Sequence, residues 1–239
     1  MSDRSTPRDG RREVLVDAVS IGIAVGAYGL SFGALASLAG LTISQTVGLS
    51  ALTFTGASQF AFVGIVGAGG SYLAAILAAW FLGVRNALYG LSLAPLLDLT
   101  RRRRFVAAQF VLDESTAMTI SRPTAPTVRL AFWATGISVF VCWNLATVLG
   151  AVGARALGDP RDFGLDAAVG AAFLALLWPR LQDRLTRITA GLGAVVALVL
   201  TPVLPPGVPV LAAAAVAIAL AWREPRWGEI TPTPTPADP

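Results

Sequence analysis

The 239-residue chain contains no histidine, no lysine and one cysteine, Cys142. Without histidine there is no His base, His relay or His-ligated metal. A single cysteine excludes both an intramolecular disulfide and a cysteine zinc site. With no lysine and no G-x-x-x-x-G-K-[ST] run, no phosphate-cradling nucleotide loop is present, and no cofactor is expected. Charge is also scarce: 13% of residues are charged and 55% hydrophobic, against roughly 25% and 45–50% in soluble domains. Residues 18–97 hold one charged side chain, Arg85. A soluble domain cannot cover its surface with so little charge. The composition therefore predicts an all-α polytopic membrane protein with about six to eight membrane helices.

Eight apolar segments are candidate spans: 14–38, 44–67, 71–97, 105–121, 130–153, 164–178, 188–204 and 208–222. Residues 1–12 read as a cytosolic arm, because the apolar run that follows exceeds the length of a secretory signal core. Residues 13–223 read as one transmembrane domain. The Pro/Thr-rich residues 224–239 read as a disordered tail. The 18 basic residues are all arginine. They sit in short connections and at the two ends, without interleaved aromatics, which points to membrane orientation rather than nucleic acid. Arg4, Arg8, Arg11 and Arg12, then Arg180, Arg184 and Arg187, then Arg223 and Arg226, put both termini in the cytoplasm. The last two spans then form a hairpin turning at Leu204-Pro-Pro-Gly207.

The run Arg101–Arg104 conflicts with eight plain crossings, which would place it outside. If it is inside, one segment within 44–97 must enter and leave on the same side, and 105–121 must do likewise. Re-entrant backbone at membrane depth is tolerated only where it is buried in protein or lines a cavity. The misfit thus marks 44–67 and 105–121 as broken elements around a pathway, and leaves six or eight crossings open.

Polar residues at membrane depth are expensive, roughly 2.5–3.5 kcal/mol per charge on insertion scales. Three clusters qualify, with a weaker fourth. In Thr53-Phe-Thr55-Gly56-Ala-Ser58-Gln59-Phe60 the hydroxyls and amide serve either a helix–helix hydrogen-bond seam or a ligand, and the small Gly-Ala-Ser step permits a break. Arg85, followed by Asn86 and Tyr89, lies too deep to snorkel. Its guanidinium needs a carboxylate, carbonyls or an anionic ligand. Asp113 and Glu114 are the obvious partners; adjacent on a helix, they point in different directions and are not one dyad. Trp143-Asn144 is the fourth site, with the asparagine serving as packing glue or ligand.

The runs Phe32-Gly33, Phe54-Thr-Gly-Ala-Ser-Gln-Phe60, Arg85-Asn86-Ala-Leu-Tyr89 and Asp113-Glu114 together resemble the AzlC family, across roughly residues 14–222. That family comprises the large membrane subunits of bacterial branched-chain amino acid exporters. The chain departs from the pattern at Asn86, where many relatives carry His, and at Thr55, where Ala is common. The resemblance implies gradient-driven export of Leu, Ile or Val across the bacterial inner membrane by a permease that is not an enzyme, with a small AzlD-type partner subunit. The residues suit that role. Asp113 or Glu114 offers an acceptor for an ammonium, and Arg85 with Ser58 and Gln59 offers donors for a carboxylate. Phe54, Phe60 and Trp143 offer apolar contact. The alternative is a non-transporting membrane scaffold whose buried polar residues hold helices together.

Overall fold

The computed structural model describes residues 7–156, 174, 177, 178, 181, 182 and 184–223. These residues form nine helices and no strand among them. The tail 224–239, residues 1–6 and most of the candidate span 164–178 lie outside the described residues. The chain divides into two units, residues 1–176 and 177–239.

In the first unit, α1 (Pro7–Leu38), α4 (Tyr72–Leu97) and α7 (Ala125–Ala156) are long and apolar enough to cross a membrane. Between them lie four short helices: α2 (Ile43–Leu52), α3 (Ala57–Gly67), α5 (Arg101–Ala108) and α6 (Asp113–Ile120). None of the four reaches the roughly 20 residues that a crossing requires.

Helices α1 and α7 run parallel. Going up α1, Gly22, Gly26, Gly29 and Gly33 face Ser138, Cys142, Trp143 and Thr147 in turn. A Cβ at Gly33 would collide with the Thr147 carbonyl oxygen, and one at Gly150 with that of Leu30. Small residues on both helices allow the backbones to touch, which is how membrane helices gain packing without a hydrophobic drive. At the end where both helices begin, Arg122 pairs with Asp17 at 2.6 Å and Glu13 at 3.1 Å. Beside them, Val14 packs with Met118 and Ala131. At the far end, Ser37 Oγ donates to the Ala151 carbonyl and Arg155 to that of Leu41.

Two parallel helices require the intervening chain to return, and α4 makes that return. It starts at the far end, where Tyr72 stacks near Phe62, and finishes at the near end, where Arg129 donates to the Leu97 carbonyl. Asp98, in the left-handed region at φ 45°, ends α4 and lies 3.6 Å from Arg129.

The remaining helices are two re-entrant hairpins. The first, α2–α3, enters from the far end after Gly40 and comes back to it, since Gly67 at its close abuts Ala39. The second, α5–α6, enters from the near end beside Leu97 and returns to Arg122 and the start of α1. Each hairpin turns through four non-helical residues, 53–56 and 109–112. The segments 44–67 and 105–121 are therefore broken, as the arginine run required. Arg101–Arg104 and the start of α1 share one end of this unit. Among the described residues, three helices are long and apolar enough to cross.

The second unit holds α8 (Arg184–Leu200) and α9 (Val208–Arg223), packed as an antiparallel pair. Their connection turns at Gly207, whose φ of 96° a side chain would resist.

Candidate functional site

The two hairpins meet tip to tip. Gln109 Nε2, on the second tip, donates to the carbonyl of Ala51 on the first at 2.6 Å. Phe54 and Phe110, one from each tip, both pack edge-on against Phe140 of α7. The tips also flank the middle of α4, where Arg85 reaches both tips and Asn86 the second. Asn86 Nδ2 donates to the Val111 carbonyl of the second tip at 3.1 Å, and Arg85 Nη2 to the Thr55 carbonyl of the first at 3.4 Å.

Arg85 Nη1 also lies 3.0 Å from Asp113 Oδ2, with side chains 32% and 25% exposed. The ion pair thus joins the central crossing to the first residue of α6. Pairing is the cheapest neutral arrangement for two charges at depth, and removing either partner strands the other. Of the two carboxylates left open by the sequence, Asp113 meets Arg85. Glu114 follows it in the first turn of α6, half-buried.

Several polar atoms around this centre are buried without a hydrogen-bond partner: Ser58 Oγ, Gln59 Oε1, Arg85 Nε and Asn86 Oδ1. Buried polar groups in native proteins are nearly always satisfied. Of these, Arg85 Nε and Asn86 Oδ1 belong to the centre itself, and Ser58 and Gln59 open the helix that follows the first tip, so a ligand or water at the tips has polar atoms to meet. Two cavities lead to the tips. One, of about 380 Å³, lies between α4 and α5 and is lined by Arg104, Leu97, Gly90 and Asn86. The other, of about 330 Å³, is lined by Gly40, Tyr72, Leu52 and Thr53. Both fall within the roughly 300–1,000 Å³ of small-molecule sites.

Other candidates take structural places. Gln59 donates through Nε2 to the Leu49 and Ser50 carbonyls, tying α3 to the end of α2. Gly56, at φ 66°, makes the sharp entry into α3, and Thr55 Oγ1 donates back to the Thr53 carbonyl. Phe60 and Trp143 pack with Phe32 in the aromatic core, with ring centroids 5.7–6.1 Å apart. Tyr89 packs against the cluster of Leu93, Leu97 and Phe132. Asn144 donates to the Phe140 carbonyl one turn back, as packing glue does. Sequence reasoning passed over Gln109, although an amide in the middle of a short apolar segment was signal enough. It also passed over the buried hydroxyl pair Ser50–Thr147, 3.3 Å apart.

Outside the spans, the hydrogen bonds that Arg122 donates, first to Asp17 and then to Glu13, raise its pKa above the ordinary value despite partial desolvation. That guanidinium stays charged at every physiological pH, which holds the end of the second hairpin onto α1.

Comparison with known proteins agrees with this architecture. Residues 20–157, which span all five elements of the tip-to-tip arrangement, match the family described as AzlC protein. The chain is similar to a protein of Archaeoglobus fulgidus described as an uncharacterized membrane protein, at 30% identity over 186 residues, covering 77% of this chain and 82% of the relative. No solved structure gives a significant match. Long apolar helices, two re-entrant tips and this match lead to one conclusion: the chain is a membrane protein of the AzlC family.

Proposed function

We propose that the chain is the large subunit of a gradient-driven exporter of branched-chain amino acids, working in the cell membrane with both termini cytoplasmic. The observation that carries this reading is the Arg85–Asp113 pair at the junction of two re-entrant tips. Broken half-helices meeting at mid-depth are how many secondary transporters assemble a binding site. A zwitterionic amino acid needs a cation for its carboxylate, an anion for its ammonium and an apolar wall. Arg85 and Asp113 supply the two charges, and Phe54, Phe110 and Phe140 at the meeting tips supply apolar surface. The inward arginine-rich end, with Arg101–Arg104 beside the start of α1, supports the cytoplasmic assignment. A small AzlD-type membrane subunit as partner follows from the family, and no cofactor or reaction chemistry is invoked.

The scaffold reading draws on Asn144 and the Ser50–Thr147 pair, whose bonds are interhelical or intrahelical packing. Efflux separates the two. Proteoliposomes holding this chain with its small partner should release loaded leucine faster than empty liposomes, and Arg85→Lys should release it more slowly, because an ammonium cannot reproduce the guanidinium fork. Leucine retention equal to that of empty liposomes, with correctly folded protein, would leave the scaffold.

A further inference from the structure

The first unit contains the same motif twice, in opposite directions. Segments α1–α2–α3 and α4–α5–α6 each consist of a crossing, a short loop and a hairpin broken by four residues, the second inverted relative to the first. Matching the first residues of the two inner half-helices pairs Ala57 of α3 with Asp113 of α6. The α6 terminus thus carries its own carboxylate, and the α3 terminus carries none.

The α3 terminus is prepared for one. Its N-cap, Gly56, makes no side-chain cap bond, and a helix N-terminus with free N–H groups attracts anions. Independently, Ser58 Oγ is without a partner in a residue only 5% exposed. That oxygen lies 3.7 Å from where a Cβ on Gly83 would stand, so it faces α4, on a different side of that helix from the Cβ of Arg85, whose long side chain extends to the tip. Arg85 reaches the same tip through the Thr55 carbonyl and keeps a buried, unpartnered Nε.

Resting on the transport reading above, we infer that the substrate's α-carboxylate binds at the N-terminus of α3, on Ser58 Oγ and the Arg85 guanidinium, and displaces Asp113 from Arg85. Asp113 is the resident anion that holds Arg85 when the site is empty. On binding, the partners exchange: Arg85 turns to the substrate carboxylate and Asp113 to the substrate ammonium. A zwitterion adds one charge of each sign, so the centre stays neutral throughout, which a buried site strongly favours. An acid lacking the ammonium would leave Asp113 bare, and an amide lacking the carboxylate would gain nothing from α3.

Calorimetric titration of the full-length chain, purified with its small partner, with leucine, 4-methylpentanoate and leucinamide tests the exchange. Leucine should bind most tightly. Asp113→Asn should tighten 4-methylpentanoate by about tenfold and weaken leucine by a similar factor, a crossing of signs that general structural damage does not produce. Ser58→Ala should weaken leucine and 4-methylpentanoate about tenfold and leave leucinamide unchanged. This second variant decides the matter if Asp113→Asn fails to fold. The inference is overturned if Asp113→Asn leaves the acid's affinity equal or weaker, or if Ser58→Ala changes neither carboxylate. Leucine binding with no such pattern rejects this site and spares the transport reading. The predicted pattern without leucine efflux from proteoliposomes rejects transport and keeps the site, and no binding by any probe rejects both.

Discussion

The hairpins α2–α3 and α5–α6 have the same shape and opposite chemistry. The first holds no charged residue from Ile43 to Gly67, and what it presents at its tip is backbone: the Thr55 carbonyl and the start of α3. The second opens on four arginines and presents side chains: Gln109 to the other tip and Asp113 to Arg85. Its charges also secure its closing residues to the start of α1, through Arg122 on Asp17 and Glu13. A repeated fold thus assigns positioning to one copy and electrostatics to the other. Arg85, on the crossing between them, is bonded to both tips through its guanidinium.

The strongest way to disturb this division is to remove Arg85. Arg85→Ala should abolish efflux and lower stability by about 2–3 kcal/mol, somewhat below the cost of a fully buried pair because both side chains retain some exposure. Yield of monodisperse protein and its thermal midpoint report the loss. The double change Arg85→Ala with Asp113→Asn should recover the yield but not the efflux; recovery of both would make the pair purely structural.

Severing the tips is the next test. Gln109→Ala removes the 2.6 Å bond to Ala51 and should cost about 1–2 kcal/mol, with the loss read as faster proteolysis at both tips rather than at one. Cleavage confined to the second hairpin would show that the tips are not mutually supporting.

Gly56→Ala probes the first tip alone. Its positive φ resists a side chain, although open space surrounds the position. The change should lower the thermal midpoint by the equivalent of about 1 kcal/mol. Asp98, already left-handed at the end of α4, should tolerate Gly with little change or a small gain.

The smallest effect concerns the open ends of the hairpins, not energy. In a Cys142→Ala background, single cysteines at positions 10 and 102 should react with an impermeant reagent from the same face of the membrane, and one at position 69 from the other. Labelling of 10 and 102 from opposite faces would contradict the re-entrant second hairpin.

The breaks themselves were legible because of a conflict of rules. Arginines mark orientation, and Arg101–Arg104 could not be reconciled with plain crossings unless 44–67 and 105–121 turned back. Arg85 stood out as a lone charge in 80 apolar positions, and charge balance named its partners as Asp113 or Glu114. Periodicity could not choose between them, because adjacent residues differ only in direction and the phase of α6 depends on where its break falls. The same limit hid the places of Phe60 and Trp143. An aromatic residue has the same composition signal in a core as in a pocket, and only packing against Phe32 decides.

Composition alone determined that this chain lives in a bilayer and uses neither histidine, lysine nor cysteine-metal chemistry, because those are properties of residue type and count. Spacing of apolar runs and arginines marked eight candidate segments and singled out 44–67 and 105–121 as broken elements, with six or eight crossings open. Only the tertiary structure decided that α1 and α7 run parallel with their glycines in contact, that the two tips bond through Gln109 and Ala51, and that Asp113 is the carboxylate on Arg85. These relations join residues 28 to 120 positions apart, and no local preference of the chain carries information across such distances. Their geometry is set by which backbones can approach closely and which buried polar groups can be satisfied together.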